Sequence, residues 1–174
     1  MSYSQLNTRK GIMTTPNGLS EIINTFGDPK HYMTEDGRVD PAWEFASMGF
    51  AKLPMPVFLA WDTSKTIDKI YCHRKMIPIF EDVFQKIHSA GLWQAVQNYG
   101  GCYTWRLKRV NAQLSTHCWG ISVDIDPLNN QLGTYGNMNQ DVIDIFKDAG
   151  FIWGGDWKPK RACDPQHFQY CSGY

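Results

Sequence analysis

The apolar positions of the chain change period along its length. Leu19, Ile22, Ile23 and Phe26 recur at helical spacing, with Asn17 placed to cap the stripe and Gly27 and Pro29 placed to end it. Between Thr34 and Leu53 no period is sustained, and turn signals at Asp36-Gly37 and Pro41 predict irregular chain. Val57 to Trp61 reads as a strand. A longer helix is predicted from near Pro78, with Ile77, Phe80, Phe84 and Ile87 on one face, a break at Gly91 and a shorter apolar turn holding Leu92, Trp93 and Val96. Tyr103 and Trp105 then alternate with Thr104 and Arg106, as in an amphipathic strand. After Gly120 the alternation is strict, Ile121, Val123 and Ile125 against Ser122, Asp124 and Asp126. A polar loop from Asn129 to Asn139 leads to a helix with Val142, Ile145, Phe146 and Ala149 aligned and Gly150 as its terminator. Last comes a strand at His167 to Tyr170, His167 and Gln169 opposite Phe168 and Tyr170. Because helices and strands follow one another without a regular βαβ alternation, an α+β fold is predicted, a small antiparallel sheet flanked by helices.

The polar faces of the last two strands carry the candidate chemistry. Asp124 lies on one and His167 on the other, so the two converge if the strands are neighbours in one sheet. His117 precedes the first of these strands, and Gly120 lets the chain bend so that its imidazole returns over the sheet. Two histidines and a carboxylate, with a fourth position open, are what a hydrolytic zinc site requires. Asp164, three residues before His167, is placed to hydrogen-bond a metal-bound water without binding the metal, the position of a general base. The other histidines lack such partners: His31 lies in a loop, His73 precedes a helix and His88 falls in a last helical turn, where a positive charge suits the dipole.

These residues carry a family resemblance. Ser115-x-His117-x-x-Gly120-x-x-x-Asp124, then Trp153-Gly-Gly-x-Trp157, then Asp164 three before His167, resembles the zinc peptidases that include D-alanyl-D-alanine carboxypeptidases and dipeptidases and the L-alanyl-D-glutamate endopeptidases of phage endolysins, the M15 peptidases. The upstream stretch Gly101-Cys-Tyr103-Thr-Trp-Arg106 matches the family's G-x-Y-x-x-R. The resemblance implies a fold like that of Hedgehog and the D-Ala-D-Ala peptidases. It implies one Zn2+ held by His117, Asp124 and His167, with Asp164 as catalytic base and Arg106 as a stabiliser of the polarised carbonyl or of a substrate carboxylate. Ser115, Trp119, Trp153 and Trp157, all beside the motifs, are the candidates for contacting substrate, whereas Trp43, Trp61 and Trp93 sit among apolar neighbours and are expected in the core. Dipeptidase members carry Glu where this chain has Asp164, as endolysin-type members do. The expected substrate is therefore the peptidoglycan stem peptide, cut between L-Ala and D-Glu. The alternatives are a D-Ala-D-Ala carboxypeptidase, or a catalytically silent, metal-stabilised wall-binding protein.

Composition narrows what surrounds this site. The chain has 174 residues, 43% of them hydrophobic, enough for one catalytic domain over 1–174, with 1–55 wrapping a site core at 100–170 and no separate wall-binding module. Zero formal net charge without a basic run gives no footprint for nucleic acid, and no stretch reaches transmembrane length. A monomer is expected. The amino terminus, Met1-Ser-Tyr-Ser-Gln-Leu, lacks the apolar core of a secretory signal, so the expectation is synthesis in the cytoplasm and action on the wall after holin release, delivery on a virion or export by another route. Cys72, Cys102, Cys118, Cys163 and Cys171 contain no C-x-x-C and are expected as reduced thiols. A structural zinc site of Cys163, His167 and Cys171 would have a spacing that fits no common zinc module. Cys118, next to His117, is a soft ligand able to compete for a metal.

Overall fold

The structure, a computed structural model, describes residues 13–108 and 111–174. The sequence read for export, and the start of the expected wrapping segment, residues 1–12, lie outside the described residues. In chain order the α-helices are α1 (Gly18–Phe26), α2 (Pro41–Ser47), α3 (Ile77–Ser89) and α4 (Gln140–Asp148). The strands are β1 (Met48–Leu59), β2 (Asp62–His73), β3 (Asn98–Gly101), β4 (Ser122–Ile125), β5 (Ile152–Trp153) and β6 (His167–Gln169). They form one six-stranded sheet in the order β2-β1-β3-β4-β6-β5, antiparallel except where β1 meets β3. The fold is α+β, as the sequence predicts.

The helices follow their apolar stripes. In α1, Ile22 and Phe26 are buried, and Gly27 ends the helix at φ 89°. Asn17 is the N-cap residue but its side chain makes no capping bond; instead its N–H donates to Glu21 Oε2 at 2.7 Å, an acidic side chain of the first turn reaching back to the helix start. Pro78 opens α3 within its first turn, and Phe80, Val83, Phe84 and Ile87 are buried against the sheet. Asn139 caps α4 by accepting from Asp141 and Val142 N–H, and Phe146 packs edge-on to Phe84 at 5.8 Å, joining the two helices over one core. No helix among the described residues is long and apolar enough to cross a membrane.

Several expectations are corrected in the first half of the chain. Residues 34–53 are not all irregular: Asp40 accepts from Ala42 N–H and Pro41 starts α2, which buries Trp43, and β1 begins at Met48. Residues 48–55, assigned to the wrapping segment, are thus the first part of a central strand, and that strand stops at Leu59, short of Trp61. Trp61 is 66% exposed at the hairpin turn and is no core residue. The whole of β2 is missing from the sequence reading, because its exposed run Thr63-Ser-Lys-Thr66 carries no apolar alternation. The predicted strand at 103–106 is a loop, and the pairing segment beside the site is β3 instead. Residues 13–18 pack on the carboxy-terminal end, where Gly18 N–H donates to the Ser172 carbonyl and Ser172 N–H to that of Pro16.

Candidate metal centre

The centre forms where β4 and β6 run side by side. Asp124 and His167 face each other across this antiparallel pair, so their side chains leave the same face of the sheet. Val123 and Phe168, paired on the other face, are buried in the core, and Phe168 stacks on Phe146 at 4.1 Å. His117 arrives from a 3-10 turn, Thr116–Trp119, whose N-cap Ser115 accepts the His117 N–H. The turn closes at Gly120 with φ 64°, where a Cβ would stand 2.7 Å from the His73 backbone nitrogen. Only glycine meets both conditions, the left-handed backbone and the close approach.

Three donor atoms meet at this point. His167 Nδ1 is 2.9 Å and His117 Nε2 3.4 Å from Asp124 Oδ1, and the two ring nitrogens are 3.3 Å apart. Zinc bonds of about 2.0–2.1 Å at a tetrahedral angle separate two ligand atoms by about 3.3 Å, so the triangle is close to the required size. The far ring nitrogens set the tautomers. His117 Nδ1 is 2.7 Å from the Cys102 carbonyl oxygen, which can only accept, so Nδ1 carries the hydrogen and Nε2 presents a lone pair. His167 Nε2 likewise lies 3.2 Å from Gln169 Oε1. Three acceptor atoms at these distances repel unless a cation lies between them, a proton shared by His167 and Asp124 in the metal-free chain or a metal ion in its place, and the donor set fits zinc.

Electrostatics follow from the same contacts. Burial acts to raise the Asp124 carboxyl, but the charges and hydrogen bonds of His117 and His167 outweigh it and hold it well below the usual carboxylate range. For His167 burial acts to lower the ring, and the hydrogen bond and charge of Asp124 prevail and raise it above the ordinary histidine value. Asp164 differs: burial pushes its carboxyl up, only partly opposed by the Gln166 Nε2–H that donates to its Oδ1 at 2.9 Å. No other donor reaches the Asp164 carboxylate among the described residues, leaving Oδ2 free for a water.

The glycine-tryptophan segment holds the turn that carries Asp164. Gly154 accepts the Asp164 N–H at 2.9 Å, and the Asp164 carbonyl accepts that of His167 at 3.0 Å. A Cβ on Gly154 would lie 2.5 Å from the Asp164 carbonyl oxygen, so the two backbones touch. Trp153 Nε1–H donates to the Pro165 carbonyl, also bracing this turn, while the partly exposed Trp157 ring stands 5.3 Å from that of His167. Trp157 is thus the tryptophan beside the centre.

The remaining candidates separate. Ser115 is buried with its hydroxyl committed to the turn, and Trp119, 1% exposed, donates to the Gly27 carbonyl and packs edge-on to Tyr174, so neither presents a face to a ligand. Arg106 is exposed, on a loop pinned to the His117 turn: its carbonyl accepts the Ser115 N–H at 3.0 Å, and Thr104 N–H donates to the His117 carbonyl. Cys118 turns its thiol to the Thr104 and Arg106 carbonyls, where it does not compete for a metal. The described cysteines are free and buried, and Cys163 donates to the Gly155 carbonyl. Among the described residues His117, Asp124 and His167 are the one group able to share an ion, so Cys163 and Cys171 add no second site. The sequence reading missed the Cys102 carbonyl and Gln166. A backbone acceptor leaves no mark in a sequence, whereas Gln166 stands in plain view between Asp164 and His167.

No curated protein and no solved structure matches the chain. A family model does: residues 109–170, the segment that holds all three converging side chains and Asp164, match the model described as D-alanyl-D-alanine carboxypeptidase, which supports the resemblance to the M15 peptidases and, with it, a hydrolase acting on peptidoglycan peptides.

Proposed function

We propose that the chain is a zinc-dependent peptidase that cuts the peptidoglycan stem peptide between L-Ala and D-Glu. The observation that carries the proposal is the convergence of His117 Nε2, Asp124 Oδ1 and His167 Nδ1, all within 4.8 Å of one another, beside a raised carboxyl at Asp164. Zinc, when bound there, supplies a Lewis acid for the scissile carbonyl and lowers the pKa of water towards about 7. His117, Asp124 and His167 hold it on strands and a capped turn, so little is left to order when substrate arrives. Asp164 moves the proton. Its free Oδ2 takes the proton of the attacking water and passes it to the leaving amine nitrogen, so the amide opens without a covalent acyl-enzyme. Arg106, on the loop tied to the His117 turn, meets the polarised carbonyl or the D-Glu carboxylate by charge-assisted hydrogen bonds. Trp157 covers the His167 side and offers its ring to the stem peptide.

The choice of bond rests on Asp164, which resembles the endolysin-type members. The matched family description favours a second reading, release of the terminal D-Ala. In either case the enzyme works as a monomer on the wall, reached after release from the cytoplasm. Incubating zinc-loaded protein with an intact pentapeptide stem and weighing the fragments decides between the readings. A new amino terminus on D-Glu is the expected result; free D-Ala as sole product replaces it with the carboxypeptidase reading, and an untouched stem with the silent, wall-binding one.

A further inference from the structure

Gln169 is two residues from His167 on β6, on the same polar face, and is only 4% exposed. A buried primary amide must be satisfied at both ends, and the neighbours decide which end points where. Its Nε2 is 3.1 Å from the Cys171 carbonyl oxygen, a group that can only accept, so the NH2 end is fixed on that side. The Oε1 end then faces His167 Nε2 at 3.2 Å, with the Thr116 hydroxyl at 3.5 Å on the same oxygen. Oε1 accepts and cannot donate, so it takes a hydrogen from His167 Nε2. Nδ1 meets Asp124 Oδ1 at 2.9 Å and His117 Nε2, so it holds a proton against Asp124 in the metal-free chain and turns a lone pair to a metal that displaces that proton.

We propose that Gln169 is the positioning residue for His167: through an amide whose orientation is locked by the Cys171 carbonyl, it accepts from Nε2 and holds the ring at the angle that presents Nδ1 to the metal. The inference rests on the zinc reading above and is independent of which bond is cut. Thr116 belongs to the same 3-10 turn as His117, so a shift of Gln169 is felt by both imidazoles. The role differs from packing. An apolar side chain of equal length fills the volume but accepts nothing, and the His167 Nε2–H is then left without the partner that fixes the ring angle.

The test needs no substrate. Nitrogen-15 spectra of the zinc-loaded wild-type protein are expected to show His167 carrying its hydrogen on Nε2 and bound to the metal through Nδ1. Zinc affinity, read by competition with a chromophoric chelator, is expected to fall about 10- to 100-fold in Gln169→Met. Gln169→Glu, which keeps an acceptor at the same reach, is expected to retain most of the affinity. A zinc-loaded His167 bound through Nε2 with its hydrogen on Nδ1, or a folded Gln169→Met that binds zinc within a factor of about two of wild type, overturns the assignment while leaving the zinc centre standing. A wild-type chain that takes up no zinc overturns both. Should Gln169→Met fail to fold, the tautomer of zinc-loaded wild type decides alone.

Discussion

A carboxylate that has to hold a proton, if only briefly, gains from standing partly out of water, and Asp164 stands so. Burial raises its pKa, Gln166 ties down one oxygen, and neither contact belongs to the three atoms that face the metal position. Asp164→Asn is therefore expected to keep zinc at wild-type stoichiometry, by metal analysis, while turnover drops by about 10²-fold or more. Loss of zinc instead would make Asp164 a ligand. Because its carboxyl titrates above the ordinary aspartate value, the acid limb of the activity profile should lie higher than for an unperturbed Asp, activity falling as pH falls through that raised value. At this scale the sequence was most legible: alternation, spacing and the family resemblance singled out His117, Asp124, His167 and Asp164, and the fold brings the first three together. Trp119 and Ser115 are buried and bonded within the fold; adjacency to a motif says nothing about which way a side chain turns. Trp119 spends its indole N–H on the Gly27 carbonyl and Ser115 its hydroxyl on a cap.

Elements hold these residues at fixed separations, and two glycines show how narrow the tolerance is. Gly154 lets β5 and its following turn touch the Asp164 backbone, and Gly120 lets the His117 turn close against β2. Gly154→Ala must push the Asp164–His167 turn away, so weakened zinc binding is expected along with a lower Tm. Gly120→Ala meets both a left-handed backbone and the His73 nitrogen, and its cost is expected on the order of 2 kcal/mol or more. Gly133→Ala is the control: its φ is also positive, at 82°, but nothing lies within 4 Å, so about 1 kcal/mol is the expected loss. Equal Tm shifts in Gly120→Ala and Gly133→Ala, by calorimetry, would show that the close approach is not what makes Gly120 necessary. The same contrast explains what was legible among elements. Amphipathic helices announce themselves by period, as α1, α3 and α4 do. An edge strand such as β2 is polar on much of both faces, with Lys65 and Lys69 exposed, and so writes no period into the sequence.

At the scale of the whole molecule, two buried histidines give stability opposite dependences on pH. His73 is neutral in the fold, its ring bonded to the Phe26 carbonyl and the Lys75 N–H, and burial lowers its pKa to about 4. A folded-state value below the unfolded 6.5 means that its contribution is fully present above pH 6.5 and is lost as pH falls towards 4, by roughly 3 kcal/mol over the window. In the metal-free protein His167 runs the other way. Its folded-state pKa is raised, so the pair with Asp124 contributes fully below the unfolded value of 6.5 and is lost as pH rises through the folded value. A proton then holds the place that zinc would take, and zinc must displace it. Zinc binding adds stability as RT ln(1 + [Zn]/Kd), about 4 kcal/mol at 1,000 times Kd, but only to the extent that the proton has left. His73 lies apart from the ligands and contributes equally to both forms, so it cancels in their difference. The Tm gap between zinc-loaded and chelator-treated protein is therefore expected to be small at low pH and to widen as pH rises through the raised His167 value. The metal-free chain should keep its far-ultraviolet dichroism throughout, since β4, β6 and the His117 turn are held by backbone pairing and a serine cap. A gap that is flat across this range, with zinc bound at every pH, would mean that no proton shares the His167–Asp124 pair. A chain that loses its sheet on chelation would mean that the metal builds the site rather than enters one already formed.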